Sequence, residues 1–566
     1  PPPPFLMIRR PPRSTPDYIR RQRQMCIRDR LTRDLDSTRL ILDESGGWAA
    51  GANLYLPDEY VPMKFNDIHH YAGPFINEER YEGMLSIGMT EEEKAAAGHR
   101  GATPGRNVVP GLMSFISELG YGSLPNLPAV NARFESEGNP LTPAYRYHKR
   151  LAEEQMQMLE ESGFSYLYAD LEAWCLEQQR IHGVANRRLI EAARANPDVD
   201  GYCIHALTAG DWILGAGLLD LWREPKSYAY EGTKAANQPR IVSIRVVPRN
   251  VYAEKGTRLS VIGINELEPM GTQLQVDVVD AAGAPVFSRQ VLVDFEQGVS
   301  DLFEQALSTA KMDGTYTVHV RLGDGQGNVV TQNSLDFDVF PATDLVKPDT
   351  EIAVLDPTGR LEAFLSNQGI PFSGFSAETP LSKPVFVTDV NSESKEARHA
   401  YAALVPFIEA GGTAVYVQGS GKPWGGSNED NQIKSEALPI SGEVEHAMGL
   451  WTAIPHLVRA HPVFDGLPVD DPMGDIYGNV WAPVTISGVG GEAIVASIGF
   501  DWFSVDHEMV YSGPGESFWG ADMAVVPYGK GRIVISELRI VPNLGSDPVA
   551  DRLLYNLIRF TSEEAP

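Results

Sequence analysis

Phe115-Ile116-Ser117-Glu118-Leu119-Gly120-Tyr121-Gly122 is a short apolar run that ends in an acid and breaks into two glycines. A run of that length, bounded by turn residues, predicts a buried strand. Glu118 then projects at the carboxyl end of the strand, where (β/α)-barrels keep their chemistry, and the glycines permit a tight turn behind it. Taken alone, the pattern also fits a solvated loop acid.

Working outward, the chain from Leu31 to Gln238 alternates apolar runs with helical stretches. Arg39–Leu42, Asp67–Tyr71, Leu112–Ser117 and Gly201–Leu207 read as buried strands. Leu167, Leu171, Trp174 and Cys175 fall on one helical face, and Ala185, Leu189 and Ala192 repeat the spacing in a next helix. Strands separated by helices predict a parallel α/β arrangement, here of four strands, with a loop-rich insertion between Trp48 and Gly105. From Pro239 to Pro341 the period changes to two: Leu274, Val276 and Val278, then Tyr316, Val318 and Val320, alternate with other residues. Turn signals at Asp280-Ala281-Ala282-Gly283 and Asp313-Gly314 separate the runs, and six or seven strands of this kind predict an immunoglobulin-like β-sandwich. From Ala342 to Pro566 the α/β alternation returns in Ile352–Leu355, Val385–Thr388, Thr413–Val417 and Arg532–Ser536, with a closing helix over Val549–Phe560. That order predicts a doubly wound parallel sheet.

The 566 residues exceed what one core supports, so several domains are expected. Apolar content of 43% and charged content of 22% exclude a disordered or fibrous chain. No apolar run approaches the roughly 18 residues a membrane span needs, so no membrane partner is expected. A net charge of −28 argues against nucleic acid, because phosphate contacts need a basic surface. Residues 1–30, Pro- and Arg-rich without usable period, resemble translated sequencing-adapter sequence and are set outside the fold. For that reason the start of the chain says nothing about compartment. Beyond Cys26 only Cys175 and Cys203 are present, too few for a disulfide framework and not at metal-ligand spacing. Neither a metal nor another cofactor is expected.

Several of these pieces, in order, resemble the second half of the catalytic barrel of glycoside hydrolase family 2, the β-galactosidase-like enzymes. Asp36-Ser37-Thr38-Arg39 with Leu40–Leu42, then Glu44-Ser45-Gly46-Gly47, is similar to that family's D-x-T-R segment, fifth strand and following turn. Asp67-Ile68-His69-His70-Tyr71 resembles strand six, and Ser117–Gly122 the nucleophile strand. Gly201–Leu207, Asp211-Trp212, Gly217–Asp220 and Arg223–Lys226 resemble strand eight and its exit. The resemblance spans residues 31 to about 250 and implies a partial (β/α)8 TIM barrel, strands five to eight, over 31–238. The sandwich over 239–341 and an α/β domain over 342–566 follow it. It also implies retaining hydrolysis of a β-glycoside, galactoside-like, with a carbohydrate as substrate.

On that resemblance Glu118 is the nucleophile and Tyr71 the phenol that holds it ionised and aimed. Asp67 and His69 share a side of their strand with Tyr71, which makes them candidates for sugar hydroxyls; His70 points the other way. Asp211 and Trp212 follow strand eight, where a platform for a sugar ring is expected. A metal site is not, since no third ligand accompanies the histidine pair at fixed spacing.

The chain departs from the family at the acid/base. Retaining enzymes place a second carboxyl about 5 Å from the nucleophile. The family carries it as the Glu of an Asn-Glu pair before the D-x-T-R segment, and only residues 1–35 stand there. The Asn-Glu pairs present end in Glu78, Glu266 and Glu429, all downstream. The expectation is a fragment of an enzyme, inactive as written, with a non-catalytic carbohydrate-binding or assembly protein as the alternative. The last domain resembles class I glutamine amidotransferase-like modules but contains no Cys; Ser420, in Gln418-Gly419-Ser420-Gly421-Lys422, is its one candidate nucleophile. A non-catalytic role, and self-association through this domain, is the expectation there.

Overall fold

The structure is a computed structural model. It describes residues 31–563 apart from 33, 44, 47–51, 56–61, 139–141, 210–214, 427–428, 450–451 and 501–515. Within them the chain is mixed α/β, built on three sheet systems.

The first is a half-barrel-like sheet of five strands in sequence order: β1 (Ile41–Leu42), β2 (Ala52–Tyr55), β3 (Pro62–Tyr71), β4 (Ser114–Gly120) and β5 (Val199–Ile204). β3, β4 and β5 are parallel, as the crossovers between them allow. The four-strand parallel expectation fails at the first strand. β1 holds two residues and pairs antiparallel with β2, which pairs antiparallel with β3. Chain length decides this: six residues join β2 to β3, and a parallel crossover needs about a dozen or more. The stretch expected to be loop therefore holds β2, the start of β3 and two helices, α1 (Glu78–Leu85) and α2 (Glu91–Ala96).

Between β4 and β5 run α2's successors, α3 (Leu127–Ser136), α4 (Pro143–Glu161) and α5 (Leu171–Ala195); α6 (Ser227–Ala236) follows β5. The two helices expected over 167–192 are one. Asp170 caps it through the Ala173 amide, which leaves Leu167 in a separate short 3-10 turn. The buried face of α5 is partly polar, with Gln178, Gln179, His182 and Asn186 all at 2% exposure or less.

The second system is a sandwich. β6 (Arg240–Val247), β8 (Thr257–Asn265) and β11 (Gly298–Leu307) form one sheet. β7 (Asn250–Tyr252), β9 (Met270–Asp280), β10 (Pro285–Phe295), β12 (Gly314–Gly323) and β13 (Val329–Phe340) form the other. The alternating residues Leu274, Val276, Val278, Val318 and Val320 meet Val242, Ile244 and Val261 in a shared core.

The third is one long sheet. β14 (Ile352–Leu355), β15 (Phe372–Gly374), β16 (Val385–Val387), β17 (Thr413–Tyr416) and β24 (Gly531–Ser536) lie parallel in the order β15-β14-β16-β17-β24. α7 (Arg360–Gln368), α8 (Lys395–Ala410), α9 (Ile540–Asn543) and α10 (Pro548–Glu563) accompany them. The four strands expected to lie parallel do so, and beyond β24 the sheet goes on with strands the sequence reading did not foresee. β18 (Glu443–His446), β19 (His456–Val458), β20 (Asp471–Pro472), β21 (Val484–Ser487), β22 (Glu492–Phe500) and β23 (Ser517–Tyr528) extend the sheet antiparallel. The turn from β23 to β24 is two residues, Gly529-Lys530, with Gly529 at φ +60°, and a turn that short can only reverse the chain.

The three systems are not separate bodies. Leu124, Leu127, Tyr147, Leu151, Leu159, Phe164 and Trp174, from the β4–β5 crossover, lie in one core with Leu457, Ala496, Ile498 and Ala524 of the third sheet. Ile241, Ile262 and Ile264 of the sandwich join the core of the first sheet. Among the described residues no helix is long and apolar enough to cross a membrane.

Candidate active site at the ends of the parallel strands

Glu118 sits two residues from the end of β4, the middle parallel strand. The pairing with β3 slips there: Ile68 faces Ile116, and His69 then faces Glu118, so Ser117 is an extra residue. That bulge re-aims the strand end and sets the Glu118 and His69 side chains next to each other. His69 Nδ1 lies 3.4 Å from Glu118 Oε2, and His205 Nε2, from the residue after β5, lies 3.9 Å from the same oxygen. The Glu118 side chain is 31% exposed, so an approaching ligand can reach it. Tyr71 stands edge-on to both imidazoles, with ring centres 6.3 Å from His69 and 5.7 Å from His205.

The polar contacts orient the group. Ser45 Oγ lies 3.0 Å from His69 Nε2 and 3.4 Å from Ser117 Oγ. Placing the His69 proton on Nδ1 turns an N–H toward Glu118 and leaves Nε2 to accept from Ser45. Burial lowers the His205 pKa below its ordinary value, with His69 acting the same way against a partial upward pull from Glu118. Glu118 is therefore flanked at neutral pH by a neutral His205, a polar and only lightly charged setting.

Asp67 lies deeper, 2% exposed, and accepts the Gly46 amide N–H, so it holds the turn that carries Ser45. His70 faces away from Glu118; burial, with Arg80 nearby, pushes its pKa down to about 4. Asp211 and Trp212 fall outside the described residues. The structure thus brings Glu118, His69 and Tyr71 together, keeps Asp67 beneath them, and adds His205 and Ser45. His205 had a signal in the sequence, since it closes the strand next to the one that bears Glu118. Ser45 stood in the turn motif Glu44-Ser45-Gly46-Gly47, but its contact with His69 arises from the β1–β2 connection and was not foreseen.

The loop behind β4 is fixed from α5. Asn186 Oδ1 accepts the Tyr121 amide at 2.9 Å, Gln178 Oε1 the Leu124 amide at 3.3 Å, and His182 Nδ1 lies 2.9 Å from Ser123 Oγ. Lys226, 1% exposed, donates to the carbonyls of Ser123 and Gly215 at 2.7 and 2.8 Å. Burial brings its pKa down to about 7.

Two other groupings invite a catalytic reading and do not carry one. Ser420 is 3% exposed, and its amide donates to Glu537 Oε1 at 2.8 Å, so the residue is packed away from any approaching substrate. Ser497, His456 and Asp522 meet with exposures of 0, 1 and 1%. Ser497 Oγ and Asp522 Oδ2 both sit on His456 Nδ1, at 2.9 and 2.7 Å. A proton relay needs serine and acid on opposite ring nitrogens, so this trio is core.

No protein-family profile and no curated protein matches the chain. Among solved structures, β-D-mannosidase from Dictyoglomus thermophilum aligns with a TM-score of 0.32 at 18% identity, over 50% of this chain and 31% of that one. The exo-chitosanase of Amycolatopsis orientalis aligns with a TM-score of 0.27 at 16% identity, over 50% of this chain and 32% of its own. A β-glucuronidase from glycoside hydrolase family 2 aligns with a TM-score of 0.16 at 13% identity, over 30% and 24%. This chain thus spans about a third or less of the length of each of these three glycosidases.

Proposed function

We propose that the chain carries the nucleophile side of a retaining β-glycosidase site, acting on a galactoside-like carbohydrate, with Glu118 as nucleophile. The observation behind this is the position of Glu118: accessible, at the carboxyl end of a central parallel strand, with His69, His205 and Tyr71 around it. The order of family-2-like motifs along residues 31–250 supports the same reading. In the reaction a Glu118 oxygen attacks the anomeric carbon, the bond to the leaving oxygen breaks, and water later cleaves the glycosyl ester. Tyr71 and the imidazole N–H groups hold the carboxylate in line.

The leaving oxygen needs a proton, and two of the three Asn-Glu glutamates, Glu78 and Glu266, are held in ion pairs. Glu78 pairs with Arg188 and Arg245, Glu266 with Arg194, and Glu429 packs on Gly425 in the third sheet system. General acid catalysis contributes about 10²–10⁴-fold, so glycosides with poor leaving groups are expected to turn over slowly or not at all. A leaving group that departs without a proton tests the nucleophile independently of any acid. With 2,4-dinitrophenyl β-galactoside the chain should release dinitrophenol faster than Glu118→Ala does, while methyl β-galactoside stays uncleaved. Equal release by the two proteins would refute Glu118 as nucleophile.

A further inference from the structure

Tyr121 lies three residues beyond Glu118 and is fully buried. Its amide is held by Asn186 Oδ1 from α5. Its ring lies against Gly73, just past the end of β3: a Cβ there would stand 2.5 Å from the ring carbons. Its hydroxyl leaves the first sheet system altogether. It donates to the Met448 carbonyl at 2.9 Å and accepts the Ile454 amide at 3.2 Å. Both partners belong to the third sheet system, where a Cβ on Gly449 would stand 2.5 Å from the phenol oxygen. Burial raises the phenol pKa well above its ordinary value, with only a small opposing effect of the Ile454 amide and Arg80, so it remains a donor.

The exit of β3 is tied to the same place. Arg80 donates to the carbonyls of Gly73 and Phe75 at 3.0 and 2.9 Å, reaches Met448 Sδ at 3.7 Å, and lies over the Trp481 ring at 5.0 Å. Asn77 Nδ2 donates to the Gly478 carbonyl at 2.9 Å. So β3, which carries His69 and Tyr71, and β4, which carries Glu118, both run out onto backbone of the C-terminal α/β part.

We infer that Tyr121 is a positioning residue for Glu118, and that the C-terminal α/β part, through Met448, Gly449 and Ile454, is a working part of the site. The inference rests on the glycosidase reading above. A phenol gripped between two backbone groups sets the height of the strand exit, and through it the line of the carboxylate. Displacement of about 1 Å at such a site costs on the order of 10²-fold in rate.

The test uses the full chain and a 2-deoxy-2-fluoro-β-galactosyl fluoride. Attack by Glu118 expels fluoride, which needs no proton donor, and leaves a slowly hydrolysed ester. Tyr121→Phe keeps the ring and removes the two hydroxyl bonds. Its maximal labelling rate should fall tenfold or more, with the half-saturating reagent concentration little changed. Gly449→Ala, whose Cβ would stand 2.5 Å from that hydroxyl and closer still to the Thr452 carbonyl, should behave alike. Wild-type labelling rates in both variants, counted per folded molecule, would overturn the inference even if their melting temperatures dropped. Should wild type itself take no label, the glycosidase reading fails, and amide exchange over 114–120 decides the positioning role. Faster exchange in Tyr121→Phe supports it; unchanged exchange ends it.

Discussion

Glu118 Oε2 is shared between two imidazoles, and the neutrality of one is imposed by its surroundings. Burial depresses His205, and in the same way His70, His182 and His446, the first and last of these three to about 4 and His182 well below its ordinary value of 6.5. Arg80 adds to the effect on His70 and His446, and Lys226 to that on His182. Unfolded, each would take a proton near pH 6.5. Below that pH these four rings bind more protons unfolded than folded, so their contribution to stability rises with pH across the window. It is complete above about 6.5 and is lost as pH falls toward 4. NMR titration of the ring protons should therefore find His70 and His446 still neutral at about pH 5.5, and protonation near 6.5 would contradict burial of these rings. At this scale the place of Glu118 at a strand end was legible in the apolar run before the glycines, whereas the role proposed for it came only from the order of the family-2-like motifs, since the pattern alone also fits a solvated loop acid. His69 could be separated from His70 by strand alternation, although the bulge at Ser117, which sets its actual pairing, leaves no mark in the sequence.

The elements show where period and propensity are enough and where chain length or another part of the fold decides. The sandwich strands carried their period of two openly, since each buries one face. α4 was not foreseen: Tyr147, Leu151 and Leu159 are thinly spread among Glu and Gln, and the surface they bury against is some 350 residues away. That surface is the antiparallel part of the third sheet. Glu154 accepts from the Ser517 amide and hydroxyl at 3.1 and 3.0 Å, and Gln155 donates to Ser517 Oγ at 3.1 Å. Leu151 is fully buried there. Leu151→Ala removes that contact and leaves a cavity, at a cost of about 2–5 kcal/mol. Denaturant unfolding followed by far-UV circular dichroism would measure it; a loss below about 0.5 kcal/mol, the range of an ordinary surface change, would mean that α4 does not cover the sheet. The β1–β2 hairpin was hidden for another reason: its apolar residues are too few to show a period, and short connections alone set its direction.

Across the whole molecule, charge and packing join the three sheet systems. Glu78, which opens α1, binds Arg188 of α5 and Arg245 of β6, and Tyr81 Oη meets Ser243 Oγ at 2.8 Å. Arg249 of the sandwich reaches Asp475 of the third system at 3.0 Å. Such pairs join residues far apart in the chain, so no local pattern announces them. The same holds for the antiparallel extension of the third sheet, which separates it from the simple doubly wound arrangement its first strands suggest. What this assembly achieves is to fix the exits of β3 and β4, and the claim that rests on it is chemical: Glu118 attacks an anomeric carbon. Mass spectrometry of the intact chain after incubation with 2-deoxy-2-fluoro-β-galactosyl fluoride tests it most directly. A gain of one fluoroglycosyl group is expected, mapped by peptide digestion to Glu118 and absent in Glu118→Gln. Label on another residue, equal labelling of the variant, or an unmodified wild-type chain would contradict it.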